Sequence, residues 1–341
     1  MGQKILIVNV NWVGDVLFST PFIRAIREHY PKDYIACLLH PRAIEMLEGN
    51  PNLDEIIVYD EEGEHKSLFG KLKLIHLLRK KRFNTAFILH KSFTKALIAT
   101  LGGIKNRVGY PTKNRGILLT KVVEEPVDEV HKVEYFLNVA RAAGIESHGH
   151  SYEFFIKDDD RYYIKEFLRS NGTSEADLLI AIGPGGNWDP KRWPKSNYAK
   201  LSDVLIERFG TKIIIVGEKK DIKLAEEIRG LMRHAPIIAC GKTTLKQLGA
   251  LMERANLVIA NDTGPMHIAV AMKAKVIALF GPTAPDITGP YGRGAYRVIF
   301  KNETCEVPCY DVTCADDSCM AAITVEDVLV EASDMLGLRV I

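Results

Sequence analysis

The sequence contains no apolar run long enough to cross a bilayer. Its first apolar run, KILIVNV at residues 4–10, is short and is followed at once by Trp12-Val13-Gly14-Asp15, which does not read as an export signal. An excess of one charge is also lacking. Lys and Arg number 45 against 43 Asp and Glu, a formal net charge of +2, so bulk attraction to nucleic acid is not indicated. Gly and Pro are unremarkable, and neither a low-complexity segment nor a repeat of solenoid period occurs, which excludes disordered and array architectures. No G-x-G-x-x-G follows the first apolar run, which argues against a dinucleotide held there. With no export signal, the expected address is the cytoplasm, where the six cysteines stay reduced.

What is present is alternation. Short β-branched runs at 4–10, 34–39, 55–60 and 85–90, then 178–183, 212–217, 236–240, 257–261 and 275–281, are spaced by amphipathic segments. The helical patterns include 15–29, 197–208, 218–232, 243–254, 265–273 and 325–336, the last with Thr324 and Asp327 placed as a variant capping box. Strands alternating with helices predict βαβ units and parallel sheets buried on both faces. At 341 residues two domains are expected. The predicted fold is α/β, with two Rossmann-like domains, residues 1–160 and 161–341, facing an interdomain cleft, and a last helix that packs back on the first. The boundary is read from the polar stretch 151–177, which holds one exposed helix. Ligands of open α/β sheets bind just past the carboxyl ends of strands, so chemistry is sought there.

Strand 257–261 delivers Asp262-Thr263-Gly264 to a helix start. Free N–H groups and the positive dipole end make an anion site, Gly264 permits close approach, Thr263 offers a hydroxyl and His267 stands in the first turn. Asp262 suits sugar hydroxyls better than phosphate. Taken alone, the stretch reads better as a helix cap. Strand 178–183 runs into Gly183-Pro184-Gly185-Gly186, with Lys191 and Arg192 close behind as cations suited to a diphosphate or as a solvated basic turn. Glu218 follows strand 212–217, placed for ribose hydroxyls or simply for its helix start. Asp15 follows strand 4–10, as a general base toward an incoming hydroxyl or as a cap.

"GPGG…PKRWP…YAKL", "ANDTGPMHIAVA" with "ALFGPTAPD", and "WVGDVLFSTPFIRAIRE" together resemble the heptosyltransferases of lipopolysaccharide inner-core synthesis, glycosyltransferase family 9. The cysteine-rich stretch after the last strand resembles the heptosyltransferase II branch. The likeness spans nearly the whole chain and implies a GT-B fold and inverting transfer of heptose from ADP-heptose to a lipid A–Kdo/heptosyl acceptor, with no cofactor or metal required. It implies Asp15 as general base and Lys191 as neutraliser of the departing diphosphate. It further implies donor contacts from Gly185, Gly186, Lys191, Glu218, Asp262, Thr263, Gly264 and His267, with Glu218 on the ribose. Hydroxyl residues are common in the family near Gly185 and Gly186, and this sequence lacks them.

A lipid-linked acceptor implies a transient contact with the inner-membrane surface. Residues 66–82, KSLFGKLKLIHLLRKKR, hold seven Lys/Arg and no acid among Leu, Ile and Phe. They read as a basic amphipathic helix on anionic lipid, with Lys80, Lys81 and Arg82 on the acceptor side, or as a crossover helix with a solvated face. Lys91, Lys95, Lys105, Arg107, Lys113 and Arg115 extend the positive trend. Cys305, Cys309, Cys314 and Cys319 are spaced C-x3-C-x4-C-x4-C without zinc knuckles, which favours a structural role over metal or disulfides. Cys37 and Cys240 read as buried small apolar residues. The alternatives are a transferase or epimerase for another nucleotide sugar and, less favoured, a metal- and nucleic-acid-binding module.

Overall fold

The computed structural model describes residues 2–301, 305–309, 311–314 and 318–338. The chain divides into two compact units, 1–155 and 156–341.

The first unit runs β1 (Lys4–Val8), α1 (Val13–Phe18), α2 (Thr20–His29), β2 (Tyr34–Leu39), α3 (Ile44–Leu47), β3 (Glu55–Val58), α4 (Leu68–Lys81), β4 (Thr85–Ile88), α5 (Phe93–Leu101), β5 (Asn106–Gly109), β6 (Lys121–Val122) and α6 (Lys132–Ala142). Its six strands form one parallel sheet in the order β3-β2-β1-β4-β5-β6. The central strands are apolar along their length because both faces are covered. On one face Leu74, Ile75 and Leu78 of α4 and Ala96, Ile98 and Ala99 of α5 share a core with Leu6, Val8, Ala36 and Ile88.

The helical pattern 15–29 is broken at Ser19. Pro21 has no N–H to give and its ring excludes a helical carbonyl four residues back. The chain therefore restarts as α2, with Thr20 Oγ1 donating to the Leu17 carbonyl and Ser19 Oγ to that of Val16 (2.8 and 2.7 Å).

The second unit runs α7 (Asp158–Ser170), β7 (Leu179–Gly183), α8 (Lys195–Phe209), β8 (Lys212–Ile215), α9 (Ile222–Leu231), β9 (Ile237–Ile238), α10 (Leu245–Arg254), β10 (Leu257–Asn261), α11 (Gly264–Ala271), β11 (Val276–Phe280), α12 (Pro285–Thr288), β12 (Tyr296–Phe300), α13 (Ser318–Ala321) and α14 (Val325–Leu336). Its parallel sheet has the order β12-β11-β10-β7-β8-β9. The last helix, α14, carries the predicted box: Asp327 N–H donates to Thr324 Oγ1 (3.2 Å) and Thr324 N–H to Asp327 Oδ2 (2.8 Å). It packs on α8, β10, β11 and β12 of its own unit.

Each sheet changes direction of winding at its centre, between β1 and β4 in one unit and between β7 and β10 in the other. In such sheets the loops leaving those strands diverge, and ligands take the crevice between them.

Candidate active site

In the second unit, Gly183–Gly186 leave β7 and Asp262–Gly264 leave the neighbouring β10, so the two motifs meet at the winding switch. Asn261, the last residue of β10, joins them. It is fully buried. Its amide donates to the carbonyls of Pro184 (2.9 Å) and Gly185 (3.1 Å), and its oxygen accepts from Trp193 N–H (3.2 Å) and Tyr198 Oη (2.9 Å). Trp193 is itself pinned by its indole N–H to the Ile323 carbonyl (2.8 Å). One amide thus holds the glycine loop and the Lys191–Trp193 turn in register.

Asp262 points the other way, into a nearly closed polar cluster. Its Oδ2 accepts from Lys191 Nζ (2.8 Å), Thr283 Oγ1 (2.8 Å) and, more weakly, Thr288 Oγ1 (3.4 Å); His267 Nε2 lies 3.5 Å from Oδ1. Burial alone would push this carboxyl up. The contact with His267 and the charge of Lys191 outweigh it and hold Asp262 well below the usual carboxylate range. Lys191 also lies over the Trp188 ring, 4.8 Å from its centre. The lysine read as a diphosphate partner is thus ion-paired with Asp262 in this structure.

Thr263 turns its hydroxyl back to the Asn261 carbonyl (3.2 Å), and its methyl would lie 3.6 Å from a Cβ placed on Gly186. Gly264 opens α11, whose N-terminus carries no side-chain cap. Gly185 has a packing reason to be glycine. A Cβ there would come within 2.9 Å of the Asp221 carboxylate. Asp221 in turn accepts from Glu218 N–H (2.8 Å), which leaves the Glu218 carboxylate exposed just beyond β8, with Lys220 at 3.2 Å.

Thr283 is a residue the sequence reading quoted without assigning. Its turn is backed by the cysteine segment: Cys309 N–H donates to the Pro282 carbonyl (2.7 Å), and Gly281 lies against Cys319 and Met320. All six cysteines are thiols, and among the described residues no three His, Cys, Asp or Glu side chains gather as a metal site.

In the first unit, Asn11–Asp15 leave β1 and His90–Phe93 leave β4, again at the switch. Asp15 is half-buried in the first turn of α1, and its charge reaches Lys91. Behind it, Asn11, Glu61 and Lys95 close a triangle: Lys95 Nζ to Asn11 Oδ1 (2.6 Å) and Glu61 Oε1 (2.9 Å), and Asn11 Nδ2 to Glu61 Oε1 (3.0 Å). Burial pushes Lys95 down, against the pull of Glu61, and takes His90 down to about 4, aided by the charge of Lys95.

The basic residues do not form one surface. Lys95 and Arg115 are buried, and Arg115 donates to the carbonyls of Tyr110 (2.7 Å), Ile88 (3.3 Å) and His90 as an internal staple. Arg107 likewise donates to the carbonyls of Leu118, Ile104 and Lys105. Lys80, Lys81 and Arg82 lie at the edge where strands begin: Lys81 Nζ meets Glu55 at the start of β3 (2.5 Å), and Lys4 Nζ at the start of β1 donates to the Lys81 carbonyl (3.1 Å). Asp15 follows the opposite end of β1, so the structure does not bring these cations to it.

The sequence model for glycosyltransferase family 9 (heptosyltransferase) matches residues 71–319. Lipopolysaccharide heptosyltransferase 2 of Escherichia coli is 29% identical over 310 residues, covering 87% of this chain and 88% of that protein. Lipooligosaccharide heptosyltransferase 2 of Haemophilus ducreyi is 30% identical over 306 residues, covering 86% and 87%. Among solved structures, a glycosyl transferase of family 9 from Veillonella parvula superposes with a TM-score of 0.91 at 27% identity, covering 98% of both chains. E. coli ADP-heptose heptosyltransferase II does so with a TM-score of 0.81 at 28% identity, again over 98% of both.

Proposed function

The chain belongs to glycosyltransferase family 9, and from that premise we propose that it moves a heptose from ADP-heptose to the lipopolysaccharide inner core, in the manner of heptosyltransferase II, with inversion. The relatives named for that activity, matched along most of their length, support the reading. So does one local observation, a partly buried Lys191–Asp262 pair at the switch of the second sheet, braced by Thr283 and flanked by the N-terminus of α11.

In this reading the second unit holds the donor. Glu218 takes the ribose hydroxyls, Gly185 and Gly186 leave backbone within reach of the diphosphate, and Asp262 and His267 contact the donor sugar or its phosphates. As the glycosyl–phosphate bond breaks, positive charge grows at the anomeric carbon and negative charge on the departing ADP. Lys191, Thr263 and the amides at the Gly264 helix start meet that negative charge without an obligatory metal; one such preorganised donor lowers the barrier by about 3–4 kcal/mol. Asp15 of the first unit takes the proton from the acceptor hydroxyl. The oxygen then attacks the anomeric carbon from the face opposite the diphosphate, a C–O bond forms as the old one breaks, and ADP leaves. The acceptor is the lipid A–Kdo/heptosyl core, presented at the cytoplasmic face of the inner membrane.

A thermal-shift panel tests the donor. ADP and ADP-heptose should raise the melting temperature, UDP, GDP and NAD should not, and heptose transfer to a core acceptor should survive EDTA. Stabilisation by UDP or GDP sugars instead would reassign the pocket to another nucleotide sugar.

A further inference from the structure

In a crossover helix packed on a parallel sheet, the outward side normally carries polar residues. That of α4 carries large apolar residues as well. Leu74, Ile75 and Leu78 are buried, as the sheet requires, yet Leu68 is 74% exposed, Phe69 80%, Leu72 52% and Leu77 39%. These four share the exposed face with Lys73, His76, Arg79 and Lys80, and no acid occurs between residues 66 and 82. Glu64, ion-paired with Lys73 at 2.7 Å, stands just before the helix. Helix α4 is thus apolar on two sides, one spent on the core and the other left outside.

Topology decides which end matters. β3 ends at the same sheet edge as β1, so the chain enters α4 at the edge that carries Asp15 and leaves it at the edge where Lys4 and Glu55 stand. The helix is about 20 Å long. Its exposed apolar residues concentrate in the first half, on the Asp15 side, and its cations in the second.

We propose that the outward face of α4 lies flat on an anionic bilayer, with Leu68, Phe69 and Leu72 entering the headgroup region and Arg79 and Lys80 resting on lipid phosphates. The complementarity is of charge, the exposed Arg79 and Lys80 against an anionic leaflet, and of polarity, since an exposed Phe–Leu cluster flanked by cations is out of place in water. The inference rests on the proposed function for the presence of a lipid-linked acceptor and adds where the protein meets it. The apolar half of α4 is the anchor at the catalytic edge, and Lys80 and Arg82 act as distant electrostatic support rather than as acceptor ligands.

Co-sedimentation of the full chain with phosphatidylglycerol/phosphatidylethanolamine vesicles tests this without donor or turnover, so it fails or succeeds independently of the transferase reading. The Leu68→Gln/Phe69→Gln/Leu72→Gln variant, all surface positions, should keep its melting curve and its transfer to a delipidated acceptor. Its partition coefficient should fall at least about tenfold, roughly 1.4 kcal/mol. Arg79→Gln/Lys80→Gln should weaken binding less and flatten its salt dependence. Unchanged partition of the triple variant overturns the proposal. So does light scattering that shows the triple change splitting a dimer while vesicle binding persists, because the face would then belong to a second copy of this chain.

Discussion

Replacing Lys191 with Met removes one charge from a pair whose partner, Asp262, is almost fully buried. Leaving a buried carboxylate without its cation costs roughly 3–5 kcal/mol. Thr283 still donates to Asp262 Oδ2 and His267 remains beside Oδ1, so the lower end, about 3 kcal/mol, is the expected loss at pH 7. The pH dependence carries the signature. Asp262 titrates lower in the folded protein than its ordinary carboxyl value, so the folded state binds fewer protons there. The stability it contributes is complete above about pH 4 and drains away as pH falls below that toward the depressed folded value. In Lys191→Met the depression shrinks, and the acid branch of the stability curve should become shallower. Asp262→Asn should remove the share of that branch that Asp262 contributes, leaving the share of other depressed carboxylates such as Asp54 and Glu61. Adding Asp262→Asn to Lys191→Met should restore part of the stability, since the stranded charge is gone, while turnover stays down by roughly 10²–10³ for want of a leaving-group cation. Thermal melts from pH 2.5 to 7.5, run on the four proteins of this cycle with kcat beside them, decide the matter. Strictly additive losses would refute the pairing as an energetic unit, and a Lys191→Met protein with near-normal kcat would refute its role against the diphosphate.

Asp15→Asn should lower kcat by about 10²–10⁴ and stability by no more than about 1 kcal/mol, the scale of a charge in a first helical turn; steady-state kinetics with near-normal turnover would dismiss Asp15 as the base. Asn261→Ala should destabilise the second unit by about 3 kcal/mol or more, because Tyr198 Oη, Trp193 N–H and two loop carbonyls lose their partner inside the protein. Urea titration measures that loss, and a cost under about 1 kcal/mol would mean water replaces the amide.

Periodicity was enough for the buried elements because both faces of each sheet are covered. Central strands therefore read as unbroken β-branched runs, and β2 and β10 fall at their expected bounds, 34–39 and 257–261. It failed at the margins. β5 is Asn-Arg-Val-Gly and β6 is Lys-Val, too short and polar for any pattern, and β12 alternates as an edge strand with Val298 and Phe300 exposed. The pattern 15–29 ran through Ser19 because its apolar spacing continues past Pro21. The basic residues were legible as charge but not as place. Arg115 and Lys95 look like surface cations in sequence, yet one is consumed by carbonyls and the other by Glu61 and Asn11. For residues 66–82 composition gives the cations, and only the direction of the crossover tells that Lys80–Arg82 end far from Asp15.

The stretch Asn261-Asp262-Thr263-Gly264 shows why so many polar residues crowd one strand end. A strand turns successive side chains to opposite sides, and here each side has different work. Asn261 faces inward and, with four hydrogen bonds, sets the positions of the glycine loop and the Lys191 turn. Asp262 turns to the other side and fixes the Lys191 ammonium, with Thr283 and the cysteine-backed turn fixing Asp262. Thr263 then folds its hydroxyl onto the Asn261 carbonyl, and Gly264 starts a helix that no side chain caps. A turn alone would need none of this. A site that must stabilise charge appearing on a diphosphate needs its dipoles and its cation fixed beforehand, because groups that reorient during the reaction give back the energy they would contribute. The ion pair of Lys191 in this structure fits the proposed role: Asp262 holds the ammonium in place, and in that reading phosphate oxygens would have only to share it.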